Sequence, residues 1–146
     1  MTEPAQGPGP LRLLAEDEED LAVIAAAVQD AVVQVGDIAF EPAERRLTIA
    51  FNRFCWETGK SERVRAGLQL GDVKSVQARR LRRDTPEAVV CLLHVEFEPA
   101  EAPGGVVIFH FSGDADLRAE VECLDAVLAD VSEPWPAVRA PDHQDS

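Results

Sequence analysis

Apolar and polar residues alternate regularly over residues 88–122, and this pattern predicts three consecutive antiparallel strands. The alternating apolar positions are Val89, Cys91, Leu93, Val95 and Phe97 in the first run, Val107, Phe109 and Phe111 in the second, and Leu117, Ala119 and Val121 in the third. A period of two buries one face of each strand. Because the connections at 99–104 and 113–116 are short and rich in Pro, Gly and Asp, we expect hairpins at both.

The same alternation predicts four further strands before this region. They cover residues 32–41 with a bulge at Gly36, 46–56, 62–70 and 73–81. The third is the most regular, with Val64, Ala66, Leu68 and Leu70 expected to point inward. The short apolar patch at 11–14 suits an edge strand.

Helical spacing occurs near each end of the chain. Leu21, Ile24, Val28 and Val32 follow an acidic run at 16–20, which predicts an amphipathic helix with Asp17 as its N-cap and an end near Asp30. A second, short helix is predicted from the spacing of Cys123, Leu124, Val127, Leu128 and Val131.

The predicted order is therefore a helix, a meander of seven antiparallel strands and a C-terminal helix. This places the chain in the α+β class, and the order resembles that of a pleckstrin-homology-like barrel. We expect a disordered N-terminus at 1–10, one domain at 11–133, and a Pro-rich, mostly disordered tail at 134–146. Trp135, which lies between two prolines, is expected to dock on the core.

Composition and charge limit the possible functions. The 146 residues suffice for one domain, and a net charge of −13 argues against general binding to nucleic acids or anionic membranes. We find no signal-peptide pattern and no apolar run long enough to span a bilayer. Three widely spaced cysteines suit reduced thiols in a cytoplasmic protein, and no cofactor is implied.

Positive charge is concentrated in one segment. Residues 44–83 carry eleven bases and four acids, whereas both flanking segments are strongly acidic. Six arginines there are predicted to form a binding patch on neighbouring strands: Arg63, Arg65, Arg79, Arg80, Arg82 and Arg83. Arginine recognises carboxylates and phosphates, so the candidate partners are an acidic protein segment, a phosphorylated metabolite or, least of these, an RNA backbone. Alternatively, these arginines pair with acids of the same chain or protect a strand edge.

Two histidines and a glutamate form a second candidate site. If His94 lies opposite His110, then Glu96 shares their face, and the three side chains could bind a divalent metal ion. Their spacing matches no metal-binding motif, so a structural histidine pair is the simpler interpretation. The sequence around residues 57–61 ends like a phosphate-binding loop but lacks the upstream glycine, and no nucleophile motif is present.

Several short segments resemble a known family. AspGluGluAspLeuAlaVal at 17–23, AsnArgPheCysTrpGlu at 52–57 and GluValGluCysLeu at 120–124 are similar to domain-of-unknown-function family 2948, whose members are short proteins found mainly in alphaproteobacteria. The resemblance extends from Leu11 to Trp135 and implies one intact domain. The family has no assigned activity, so the resemblance implies no catalytic residues.

These observations favour a non-enzymatic cytoplasmic binding module that docks an acidic protein segment or pairs with a second copy. The outward positions predicted for Val90, Leu92, Val106 and Ile108 favour a homodimer or a covering helix. The alternative is a metal-dependent or small-ligand-binding enzyme that uses His94, Glu96 and His110.

Overall fold

The computed structural model describes residues 10–58 and 60–137, which form one α-helix, four short 3-10 turns and eleven strands. The helix is α1 (Glu18–Ala27). The strands are β1 (Arg12–Ala15), β2 (Ala31–Gln34), β3 (Ile38–Glu41), β4 (Arg46–Phe54), β5 (Glu62–Leu70), β6 (Val73–Arg79), β7 (Val89–Pro99), β8 (Gly105–Phe111), β9 (Ala115–Val121), β10 (Ala126–Asp130) and β11 (Trp135–Pro136). No helix in the described ranges is long and apolar enough to cross a membrane.

All strands join one antiparallel sheet, which confirms the α+β class. Its order is β1-β10-β5-β4-β2-β7-β8-β9-β6, with β3 beside β4 and β11 beside β5. The sheet is not closed, because β6 at one end of this path pairs with β9 alone. The predicted seven-stranded meander is wrong, since β5 and β6 are consecutive in the chain but not adjacent in the sheet. The pleckstrin-homology-like arrangement stays a prediction.

The N-terminal helix forms as its sequence predicts. The side chain of Asp17 caps it by accepting a hydrogen bond from the backbone N–H of Asp20 at 2.8 Å. Acidic side chains in the first turn complement the positive end of the helix dipole. Leu21 and Ile24 are buried against the sheet, and Asp30 reverses the chain with a left-handed φ of 64°.

The predicted strand at 32–41 is two strands. A single helical turn at Val35–Asp37 separates β2 from β3. β2 pairs with β7 and also with β4, whereas β3 pairs with β4 alone. Pro86 packs closely on this turn, and its carbonyl accepts a hydrogen bond from the backbone N–H of Gly36 at 2.8 Å. A Cβ atom at this position would lie 2.9 Å from the Cβ of Pro86.

The three strands predicted at 88–122 are confirmed as β7, β8 and β9. The register shifts between Leu92 and His94 on β7, and this irregularity exchanges the two faces of the strand. Leu92 is therefore fully buried, whereas its neighbour Leu93 is 44% exposed and Val89 is also exposed. The inward alternation predicted for the first half of this strand is wrong. Leu92 joins the core, so it does not form an outward apolar face with Val106.

The predicted C-terminal helix is wrong, because residues 126–130 form strand β10 between β1 and β5. The residues of this segment fit two periods, since Leu124, Ala126 and Leu128 also alternate. Pairing with two long-range neighbours selects the strand, and these three residues are buried whereas Val131 is 69% exposed. β1 is an edge strand, as expected.

Two residues of the predicted tail also pair with the sheet. Trp135 lies opposite Arg63 and Pro136 opposite Glu62, which extends the sheet beside the start of β5. Trp135 is 37% exposed, so the prediction that it docks on the core is wrong. The disorder predicted for 1–9 and 138–146 lies outside the described residues.

Candidate functional site

The six predicted arginines do not lie on neighbouring strands. Arg63 and Arg65 lie on β5, between β4 and β10, whereas Arg79 ends β6 and the other three follow in the loop 80–88. The prediction placed them on neighbouring strands because it assumed a meander. The observed sheet order separates β5 from β6.

The arginines of β5 are engaged by their own sheet. Arg65 donates to Asp37 at 2.9 Å and to the side chain of Asn52 at 3.2 Å. Arg63 donates to the backbone carbonyl of Asn52, and its guanidinium lies 5.9 Å from the centre of the Phe54 ring. These contacts orient both guanidinium groups across the strands.

Arg79 and Arg80 also have acidic partners. Arg79 contacts the buried carboxylate of Asp116 at 2.7 Å, and Arg80 contacts Asp114 at 2.8 Å. The hydrogen bond from Arg79 lowers the pKa of Asp116 although burial opposes this shift. Both acids belong to the acidic C-terminal third of the chain, so these two contacts match the self-pairing alternative.

Arg82 and Arg83 differ from the other four. Both are exposed, and neither side chain makes a hydrogen bond or an ion pair with any residue in the described part of the chain. The loop that carries them is held by backbone hydrogen bonds, including Thr85 N–H to the Arg82 carbonyl at 2.9 Å. The two adjacent guanidinium groups are thus exposed and unpaired among the described residues, although Asp84 and Glu87 lie in the same loop.

An apolar cleft of about 360 Å³ opens beside this loop. We call it the seam cleft, because it lies where the sheet fails to close, between β3 and β4 on one side and β6 on the other. Ten of its eleven lining residues are apolar side chains, glycine or proline, and the remaining one is Arg83. Leu47 and Leu117 are fully buried beneath it, whereas Phe40 and Val76 on its walls are half-buried.

Backbone hydrogen bonds define both ends of the seam cleft. At one end, the N–H of Val73 donates to the Arg45 carbonyl at 2.9 Å and ties the start of β6 to the start of β4. At the other end, the Gly36 to Pro86 hydrogen bond holds the loop 80–88 against the turn before β3. A cavity of this size, mostly apolar and with one charged group, is typical of a ligand or peptide site.

The sequence gives one signal for this cleft. Ile38 and Phe40 on β3, and Val76 and Ala78 on β6, are alternating apolar residues that the pattern assigns to the core. Their incomplete burial results from the sheet order, which leaves β3 and β6 without a covering strand. Local alternation carries no information on that order.

The predicted histidine face has the expected register. His94 lies opposite His110 with their rings stacked 6.2 Å apart, and His110 Nε2 contacts Glu96 Oε1 at 2.5 Å. Among residues 10–58 and 60–137, no group of three or more His, Cys, Asp or Glu side chains is placed to hold a metal ion.

A buried arginine cluster was not predicted from the sequence. Arg53 on β4 is fully buried, and it donates to Asp130 at 2.9 Å through two nitrogens and to Glu57 at 2.8 and 3.0 Å. Burial disfavours the charged form of Arg53, but the hydrogen bonds that it donates to both carboxylates raise its pKa. Asp130 also accepts from the backbone N–H of Leu11, so this cluster joins β4, β10 and the segment before β1.

The cysteines show no sign of nucleophilic activation. All three are free, and burial raises the pKa of Cys55 and Cys91. A hydrogen bond to Asp72 raises the pKa of Cys123. Thiolate formation is therefore disfavoured at each position.

Comparison with known families assigns the chain. A family model described as a protein of unknown function (DUF2948) matches residues 11–143. The chain belongs to this family. The DUF2948 match spans the helix, all eleven strands, Arg53 and the seam cleft. No curated protein and no solved structure matches.

Proposed function

We propose that this DUF2948 protein is a non-enzymatic binding module that docks an acidic protein segment at the seam cleft. The observation that carries the proposal is the position of Arg83, which lines an apolar cleft and has no acidic partner among the described residues. Its neighbour Arg82 adds a second exposed arginine without an ion pair among the described residues. A partner that places a carboxylate beside an apolar side chain would satisfy both features.

The charge distribution supports an acidic partner. Arg63, Arg65, Arg79 and Arg80 already contact groups of the same chain, so Arg82 and Arg83 are the members of the predicted patch whose guanidinium groups remain available. Arginine binds carboxylates through two parallel hydrogen bonds, which gives orientation as well as attraction. The chain as a whole carries a net charge of −13, which repels acidic molecules that lack a complementary apolar group.

An enzyme that uses His94, Glu96 and His110 is the alternative. It has less support, because His110 Nε2 is engaged by Glu96 and both side chains are only half-buried on an open strand face. For the proposed module we expect a cytoplasmic location, which suits three free cysteines. Pairing of two copies stays a prediction.

Selection of displayed peptides against the full-length protein tests the proposal. The library consists of peptides with apolar side chains at alternate positions and one or two Asp or Glu residues. We expect enriched peptides to bind the native protein and to lose binding to an Arg82→Glu, Arg83→Glu double variant. An Arg12→Glu, Lys60→Glu variant carries the same change in charge on exposed residues away from the cleft and should bind as the native protein does.

A second variant tests the apolar part of the site. Ala78→Phe places a ring in the cleft, whereas Gln77→Phe adds the same ring at an exposed position on the same strand. We expect the first to block the enriched peptides and the second to bind them. The proposal is wrong if no peptide is enriched, or if enriched peptides bind all four variants equally.

A further inference from the structure

The two strands that border the seam cleft both have an unpaired edge. In the described part of the chain, β6 pairs with β9 alone and β3 pairs with β4 alone. β3 begins near the loop that follows β6, and β4 begins near the start of β6, as the hydrogen bonds of Gly36 and Val73 show. β3 and β6 therefore run in opposite directions along the two sides of the cleft.

The side chains along these edges have the spacing that an added strand requires. Ile38 and Phe40 on β3, and Val76 and Ala78 on β6, all line the cleft at alternate positions and are half-buried. A strand laid along β6 would direct every second side chain toward the same floor, which Leu47 forms with other core residues. Residues of the opposite parity would face solvent.

We propose that the acidic partner segment binds in extended conformation as an added strand along the free edge of β6. This inference rests on the proposed function and specifies its binding mode. Backbone hydrogen bonds to β6 would supply affinity, and alternate apolar side chains would fill the cleft, as in other cases of strand addition. The backbone bonds at both ends of the cleft limit the added strand to about the seven residues of β6.

Charge fixes where the acidic residue of the partner lies. Lys74, at the start of β6, contacts Glu120 at 3.5 Å and is thus already paired. Arg82 and Arg83 follow the end of β6 and are free of acidic partners among the described residues. The carboxylate of the added strand is therefore expected beside the last residues of β6.

Alternate N-methylation of an enriched peptide tests this mode. In an added strand, the N–H groups of every second residue point to β6 and the others point away from it. Methylation in one phase should weaken binding at least about tenfold, whereas methylation in the other phase should change it less than about twofold. The full-length native protein is used in both titrations.

Hydrogen exchange gives a second readout. With the unmodified peptide bound, we expect slower exchange for amides of Val73–Arg79 on β6 and no change for those of Arg12–Ala15 on β1, which is the opposite edge strand of the sheet. If arginine-dependent peptides tolerate both methylation phases and leave β6 exchange unchanged, strand addition is wrong while the proposed function stands. If no arginine-dependent peptide is obtained, both are wrong.

Discussion

Arg53 is the residue on which the packing of several strands depends. Its guanidinium is fully buried, and its partners Asp130 and Glu57 come from β10 and from the turn after β4. A sequence cannot reveal this role, because Asp130 is 77 positions away and arginine is usually a surface residue. The AsnArgPheCysTrpGlu segment shows the arginine but not its burial.

Replacing Arg53 should destabilise the protein strongly. In an Arg53→Met variant the buried carboxylate of Asp130 loses its main partner, and breaking a buried ion pair typically costs about 3–5 kcal/mol. The free energy of unfolding from urea denaturation measures the loss. Arg46→Met is the control, because Arg46 contacts Glu41 on the exposed surface and should contribute little. Equal losses in the two variants would contradict this account of the cluster.

The pH dependence of stability should include a contribution from Glu57. The hydrogen bond with Arg53 lowers the pKa of Glu57 below its ordinary value of 4.5. A carboxyl group with a depressed pKa in the folded state stabilises the fold above its unfolded pKa, and this contribution is lost as pH falls through the folded pKa.

A Glu57→Gln variant tests this contribution. It should unfold more easily than the native protein near neutral pH, and the difference should shrink below about pH 4. Urea denaturation across this range measures both. A difference that is constant with pH would show that ionised Glu57 is not the source of the stabilisation.

At the scale of elements, the sequence predicted local pairings better than long-range ones. The hairpins β7–β8 and β8–β9 join strands that are adjacent in the chain, so alternation and turn residues were sufficient to place them. β10 pairs with β1 on one side and with β5 on the other, and in both pairings the partner residues are more than fifty positions apart in the chain. Residues 123–131 fit both a helix and a strand, and tertiary pairing alone decides between them.

A pair of neighbouring leucines tests the irregularity in β7. Leu92→Ala should lower the free energy of unfolding by about 2–5 kcal/mol, because a fully buried leucine leaves a cavity when truncated. Leu93→Ala should change it by less than about 0.5 kcal/mol, since Leu93 is 44% exposed. Thermal and urea denaturation of both variants give the comparison. A larger loss for Leu93→Ala than for Leu92→Ala would contradict the observed burial and support the alternation predicted from the sequence, in which Leu93 points inward.

A second pair tests whether residues 126–130 form a strand. A helix would bury Leu128 and Val131 on one face, whereas in the structure Leu128 is buried on β10 and Val131, directly after β10, is exposed. We therefore expect Leu128→Ala to cost about 2–5 kcal/mol and Val131→Ala to cost less than about 0.5 kcal/mol. Comparable losses from the two substitutions would favour the helix.

For the whole molecule, the open sheet and the position of Arg82 and Arg83 lead to the proposed function. Composition indicated an acidic protein with one basic segment, and the sequence selected six arginines within it. The structure places these six on β5, at the end of β6 and in the loop 80–88, and three of them pair with Asp37, Asp114 and Asp116, which are distant in the chain. The seam cleft could not be predicted from the sequence either, because it results from the order of the strands in the sheet and not from the pattern of any one strand.

The affinity of one enriched acidic peptide for three forms of the full-length protein tests the central claim most directly. Fluorescence anisotropy is measured with the native protein, the Arg82→Glu, Arg83→Glu variant and the Arg12→Glu, Lys60→Glu variant. We predict at least about tenfold weaker binding to the first variant and less than about a twofold change for the second. Equal binding to all three forms, or equal weakening in both variants, would contradict a specific site at Arg82 and Arg83.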